Sequence, residues 1–132
     1  MTSMPAPIPV IVVDAANVVG SVPDGWWRDR RGATERLRDR LAGIGATGIV
    51  DVEGPVEVVM IVEGQARQVT SSPTVTTISA AGSGDDRIVE FVADHADRRR
   101  IVVTADRELR RRVQSLGAET VGPSALASGG AR

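Results

Sequence analysis

Residues 8–20 read IPVIVVDAANVVG, and this stretch decides the fold. Its apolar, mostly β-branched run stops at Asp14, and Pro9 stands near its start, where proline is tolerated in a strand. Apolar residues in a continuous run, rather than in alternation, are typical of a strand that is covered on both faces, as in a parallel sheet. The stretch therefore predicts a buried strand with a carboxylate at its carboxyl end.

The rest of the chain alternates short apolar runs with amphipathic stretches. Strands are predicted over 56–62, within 69–79, over 101–104 and over 119–121, and helices over about 31–43, 85–97 and 106–116. Polar and glycine-containing segments over 15–30 and 45–55 are interpreted as connections. Strands alternating with helices at this spacing predict an α/β domain with a mainly parallel sheet.

The length of 132 residues indicates a single domain. We assign residues 1–7 to a disordered lead, 8–127 to the domain and 128–132 to a frayed tail. The lead lacks the basic and apolar regions of a signal peptide, and no apolar run approaches the length of a membrane span. A cytoplasmic protein without a membrane partner is therefore expected.

Composition excludes several kinds of chemistry. The chain contains no cysteine and no lysine, which excludes thiolate zinc sites, cysteine nucleophiles, Schiff bases and a P-loop lysine. A single histidine, His95, excludes a histidine-rich metal site. The net charge of −1 provides no general attraction to nucleic acid, so any such binding depends on local arginine clusters.

Three aspartates stand where predicted strands end. Asp14 closes the first strand, Asp106 follows the fourth, and Asp85 opens the helix after the third. The carboxyl edge of an open α/β sheet is where such folds place their sites. Asp85 precedes Ile88 by three residues and so shares its core-facing stripe, whereas Asp86 is about 100° further round. Asp85 is therefore predicted to be the inward ligand and Asp86 its neighbour.

Converging carboxylates without histidine or cysteine suit a hard cation, Mg²⁺ or Mn²⁺. Without a cation, such close like charges raise one another's pKa. A second interpretation is purely structural, with Asp85 as an acid of a helix N-terminus and Asp106 as a helix N-cap. Spacing alone leaves both interpretations open.

Three blocks resemble the NYN domains of the PIN-like nuclease superfamily. They are VVDAANVVG over 12–20, GDDRI over 84–88 and VTADREL over 103–109, and they follow one another across nearly the whole chain. The resemblance implies an α/β/α sandwich with a parallel sheet in the order 3-2-1-4-5. It also implies metal-dependent cleavage of RNA phosphodiesters.

The resemblance also implies roles for individual residues. Asp14, Asp85 and Asp106 would bind the metal, with Asp86 beside them. Asn17 would orient the site or the substrate, and Thr104 would support Asp106. Glu63 stands where bacterial members often carry aspartate, so it is either a fourth acid or an exposed strand end.

Basic and aromatic residues near the first strand are candidates for RNA binding. Arg28, Arg30 and Arg31 share the edge of Asp14, and Arg107 directly follows Asp106. Trp26 either stacks on an unpaired base or packs against the following helix. For the arginines too, two interpretations are open: they bind RNA phosphates, or they belong to an ordinary solvated surface. Arg98–Arg100 precede the fourth strand and therefore lie at the opposite edge.

The sequence therefore predicts a metal-dependent ribonuclease that acts on RNA with Mg²⁺ or Mn²⁺. The alternative is a PIN-like module that binds RNA or a protein without cleaving it. A phosphatase with an aspartate nucleophile at Asp14 is disfavoured, because the second aspartate that it needs is replaced by Ala16. Whether the chain forms a homodimer or binds a regulatory protein is left open.

Overall fold

A computed structural model describes residues 7–126. The predicted tail over 128–132, and the predicted lead apart from residue 7, lie outside the described residues. The strands are β1 (Val10–Asp14), β2 (Gly48–Ile49), β3 (Val52–Glu53), β4 (Glu57–Val62), β5 (Thr76–Ser79), β6 (Arg100–Val103) and β7 (Glu119–Val121). The α-helices are α1 (Ala15–Gly20), α2 (Arg30–Arg40), α3 (Ile44–Thr47), α4 (Gly84–Asp94) and α5 (Arg107–Gln114), and 3₁₀ turns span Trp26–Arg28 and Gly64–Gln68.

Five strands form one parallel sheet with β1 at its centre. Their order is β5-β4-β1-β6-β7, which confirms the predicted α/β class and, counted over the five predicted strands, the order 3-2-1-4-5. Residues Val10–Val13 are fully buried, as their unbroken apolar run predicts. Because all five strands are parallel, their carboxyl ends meet at one edge, which we call the carboxyl edge.

Helices cover both faces of the sheet. Alternate residues of β1 face opposite sides, so that Ile11 and Val13 join one core and Val10 and Val12 the other. The first core takes its helical residues mainly from α1 and α2, and the second from α4 and α5. The result is the three-layer sandwich that the resemblance implies. None of the described helices is both long and apolar enough to cross a membrane.

Two predicted connections contain regular structure. Helix α1 occupies 15–20, where Asp14 accepts a bond from the amide of Asn17 as the N-cap and Val18 and Val19 are buried. At six residues, this helix is too short to show a helical period. The segment after α2 contains α3 and the antiparallel pair β2–β3, which depends on Gly48 at φ 75°, where a side chain would collide with the carbonyl of Val52.

Candidate active site

Four carboxylates gather at the carboxyl edge. Asp14 ends β1, Glu63 follows β4, Asp85 lies in the first turn of α4, and Asp106 directly precedes α5. Asp14 is only 4% exposed, whereas the other three are half-buried. The parallel sheet thus brings together acids that are up to 92 positions apart in the chain (106 − 14).

A hydrogen-bond network holds Asp14 to the loop after β6. The hydroxyl of Thr104 donates to Asp14 Oδ2 at 2.9 Å and accepts from the amide of Asp106 at 3.2 Å. The amide of Asn17 donates to Asp14 Oδ1 at 3.4 Å, and Asn17 Oδ1 accepts from the amide of Ala105 at 2.8 Å. Since both carboxylate oxygens of Asp14 accept hydrogen bonds, these bonds favour its ionised form.

Burial works against that ionised form. It raises the pKa of Asp14 to about 6, and the negative charges of Asp85 and Glu63 contribute to the increase, while the bonds from Thr104 and Asn17 oppose it. The pKa of Asp85 is also raised, first by burial and then by the charges of Asp106 and Glu63. Asp14 and Asp85 therefore lie where negative charge is costly, and the charges of Glu63 and Asp106 add to that cost.

Two of the four acids also stabilise helix starts. Asp106 Oδ1 accepts from the amide of Leu109 at 2.9 Å, so it is the N-cap of α5, as the structural interpretation predicts. Glu63 Oε2 accepts from the amide of Gly84 at 2.9 Å, at the start of α4. Glu63 is therefore not a plain exposed strand end.

The two adjacent aspartates of α4 face different surroundings. Asp85 is half-buried and within the electrostatic field of Glu63 and Asp106. Asp86 is exposed and pairs with Arg112 on α5 at 2.9 Å. This placement follows the helical facing argued from sequence, because α4 begins at Gly84, with Ser83 as its N-cap.

The donor set suits a hard divalent cation, since it consists of carboxylates. Across residues 7–126, however, no three histidine, cysteine, aspartate or glutamate side chains are arranged to hold a metal ion as they stand. Asp106 and Glu63 are held by helix amides, and Asp14 by Thr104. Joint coordination by three acids would therefore require some of them to leave these conformations.

The basic and aromatic candidates lie near the same edge. Trp26 is half-buried against the first core, and the guanidinium carbon of Arg30 is 5.2 Å from its ring centroid. Arg28 is placed similarly over Trp27, at 5.8 Å. Arg31 donates to Gln68 at 3.2 Å.

On the other side of the edge, Arg107 is exposed at the start of α5. It directly follows Asp106 in the sequence, so a positively charged residue adjoins one of the four acids along the chain.

The arginines at the start of β6 have structural roles: Arg98 and Arg99 precede the strand, and Arg100 is its first residue. They lie at the opposite edge, as predicted, with Arg98 bonded to the carbonyl of Ile8 and to Glu57, and Arg99 bonded to Glu119. Arg100 is buried and donates to the carbonyls of Val92 and Leu116. Replacing these three arginines would therefore disturb the fold as well as the charge, so they cannot serve as a charge control for RNA binding. The sequence alone, which shows three consecutive basic residues, does not reveal this.

Sequence reasoning missed the contact between Thr104 and Asp14. It assigned Thr104 to Asp106 alone, because residues 90 positions apart carry no spacing signal. It also missed the contact of Arg110, whose Nε donates to the carbonyl of Thr104 at 2.8 Å and so stabilises the strand end that carries the site.

We expect Thr104→Val to destabilise the ion-free protein by about 1–3 kcal/mol, because the buried Asp14 carboxylate and the amide of Asp106 both lose a partner. The same change should raise the pKa of Asp14 above about 6, since the hydroxyl bond that lowers it is lost. Urea unfolding and titration of Asp14 by carboxyl NMR measure the two effects. Thr104→Ser keeps the hydroxyl and should leave the pKa of Asp14 unchanged, although the loss of a buried methyl group costs about 1 kcal/mol of stability. An equal rise of this pKa in both variants would contradict the role of the hydroxyl.

Comparison with known proteins shows a likeness of fold. Two crystal structures of Rae1 (YacP) from Bacillus subtilis match with TM-scores of 0.72 and, for the W164L mutant, 0.66. Each is 16% identical to this chain, and each match covers 89% of this chain and 71% of the other. At this identity the likeness is one of fold. No family model matches the chain, and no curated protein does.

Proposed function

We propose that this protein is a metal-dependent ribonuclease that hydrolyses RNA phosphodiesters at the carboxyl edge. The observation that carries the proposal is the group of four carboxylates around the buried Asp14, whose pKa is raised to about 6. Strongly perturbed acids in one place are typical of functional sites. The NYN-like motifs and the likeness to the fold of Rae1 support the same assignment.

Asp14, Asp85 and Asp106 are the residues that would hold Mg²⁺ or Mn²⁺, with Glu63 as a fourth acid and Asp86 beside them. A bound cation polarises a phosphoryl oxygen and lowers the pKa of a bound water molecule. It would also offset the burial and the neighbouring negative charges that raise the pKa of Asp14 and Asp85.

The surrounding residues prepare this site. Thr104 donates to Asp14 and so favours the ionised carboxylate that a cation needs. Asn17 uses its side-chain oxygen on the amide of Ala105, which leaves its amino group as a donor for substrate. Exposed arginines at the same edge, Arg28 and Arg30, offset the acidic site when a polyanion approaches.

The test is cleavage of structured and unstructured RNA with Mn²⁺, Mg²⁺ or EDTA. We expect cleavage with either ion and none with the chelator. Saturating Mn²⁺ should also raise the melting temperature, because a ligand that binds only the folded state stabilises it. Cleavage by the pure protein that persists undiminished in EDTA would contradict the metal dependence.

The alternative, a module that binds without cleaving, gives a different pattern. It predicts RNA retention without cleavage under any ion condition and no stabilisation by Mn²⁺. The bonds from helix amides to Asp106 and Glu63 favour this alternative, since they explain these two acids without a metal. Melting with Mn²⁺ therefore separates the two functions even before any substrate is known.

A further inference from the structure

A second feature of the carboxyl edge is a cavity of about 320 Å³ beside the acids. It lies between α1, α2, the Trp26–Arg28 turn and the Gly64–Gln68 turn. Its walls include Ala15, Ala16, Trp26, Arg30, Glu63 and Gly64. Ala15 directly follows Asp14, so the cavity opens within one residue of the most buried carboxylate.

The walls suit a flat, neutral ring. The indole of Trp26 supplies an aromatic surface, and the small side chains of Ala15 and Ala16 leave space beside it. Trp27 contacts Trp26 only edge-on, with centroids 6.1 Å apart and rings at 89°, so it does not cover a face of the Trp26 indole. Aromatic platforms of this kind bind unpaired bases, because every base has a flat face.

Charge determines which part of a nucleotide fits. Glu63 lines the cavity, and the bonds found among the described residues use only its Oε2, which leaves Oε1 to accept N–H groups. A carboxylate at this position disfavours a phosphate but favours a base edge. Arg30 forms no ion pair within residues 7–126 and is exposed, and its guanidinium carbon lies 5.2 Å from the Trp26 ring centroid. A base that stacks on Trp26 would displace this guanidinium from the ring, toward the adjoining phosphate.

We propose that this cavity binds one unpaired nucleobase, stacked on Trp26, next to the phosphodiester that the acids address. The proposal rests on the ribonuclease function proposed above and specifies its substrate class as single-stranded RNA. A paired base cannot enter, because its edge is occupied by its partner and its faces by its neighbours. Trp27, although 56% exposed, does not line the cavity and is the matched control.

Fluorescence isolates Trp26 directly. The chain has only two tryptophans, so Trp27→Leu leaves Trp26 as the single fluorophore. In EDTA, a short oligoadenylate should quench its emission with saturation, whereas an abasic strand of equal length and a blunt RNA duplex should not. Equal quenching by the abasic strand, or none by oligoadenylate, would overturn the base pocket.

Binding of the same strands to variants provides a second measurement. Trp26→Leu should weaken oligoadenylate binding by about 5- to 100-fold and leave abasic binding unchanged. The affinity of Trp27→Leu for oligoadenylate should stay within about twofold of the wild type. Trp26→Phe keeps an aromatic face and should retain most of the affinity. If Trp26→Leu fails to fold, a Trp26→Phe variant that folds but has lost its affinity for oligoadenylate would contradict the pocket. An equal loss in both leucine variants would also overturn the pocket.

Charge at the pocket has its own pair of variants. Arg30→Gln should weaken oligoadenylate binding more than Arg36→Gln, an equal change of charge on another face of α2. An equal effect of the two changes would overturn the role of Arg30.

Because these measurements need no metal, they separate the two proposals. Quenching without cleavage in Mn²⁺ would contradict the ribonuclease function and support the base pocket. Cleavage without quenching would support the ribonuclease function and contradict the base pocket.

Discussion

Asp14→Asn is expected to reduce RNA cleavage by more than about 100-fold while making the ion-free protein more stable at pH 8. The loss of activity follows from its place at the end of β1, where it is the most buried of the four acids and is held by Thr104. Even residues that only orient metal ligands typically account for 10- to 100-fold in affinity or activity. The gain in stability follows from its burial, because asparagine carries no charge that must be desolvated.

The pH dependence of stability has a definite sign. Folding raises the pKa of Asp14 from 3.8 to about 6, so between these values the folded protein binds more protons than the unfolded chain. The contribution of Asp14 to the free energy of unfolding therefore falls as pH rises through this range and is lowest above pH 6. The shift corresponds to a loss of about 3 kcal/mol at most from the stability of the wild type above pH 6. The variant avoids this loss, but its own gain is smaller by about 1 kcal/mol, because asparagine makes a less favourable hydrogen bond with Thr104.

Urea unfolding from pH 4 to pH 8, with and without Mn²⁺, measures this effect. The free energy of unfolding of the wild type should fall as pH rises and should increase when Mn²⁺ is added. The variant should show neither effect. Asp94→Asn removes an exposed acid at the far end of α4 and should behave as wild type in cleavage, slope and ion response. An Asp14→Asn protein that is less stable than wild type at pH 8 would show that the carboxylate is mainly structural.

The second large effect concerns the adjacent acids of α4. Asp85→Asn should lose cleavage by more than about 100-fold, since Asp85 is half-buried among the other acids. Asp86→Asn should stay within about tenfold, because it removes an exposed pair with Arg112, and such pairs contribute little.

The two substitutions are matched, as each removes one negative charge at the start of the same helix. Cleavage rates at saturating Mn²⁺, with melting temperatures to confirm folding, decide the ranking. If Asp86→Asn were the more damaging change, the metal would lie on the side of α4 that carries Asp86 and its pair with Arg112 of α5.

Much of the fold could be predicted from local pattern. The unbroken apolar runs of β1 and β4 predict strands buried on both faces, and the alternation of strands with helices predicts a parallel sheet. Helical spacing placed Asp85 nearer the site than Asp86, since facing depends only on positions within one helix. Pattern could not predict the four short elements, because each has too few residues to display a period. These are α1, α3, β2 and β3.

By itself, the sequence determined the longer strands and helices and which acids end the strands, because burial patterns and helix caps are local properties of the chain. Only the tertiary structure decided which side chains meet. The bond from Thr104 to Asp14 and the burial of Arg100 depend on strands from distant parts of the chain lying side by side. The raised pKa of Asp14 has the same origin, since desolvation and the charges of its neighbours exist only once the sheet has formed.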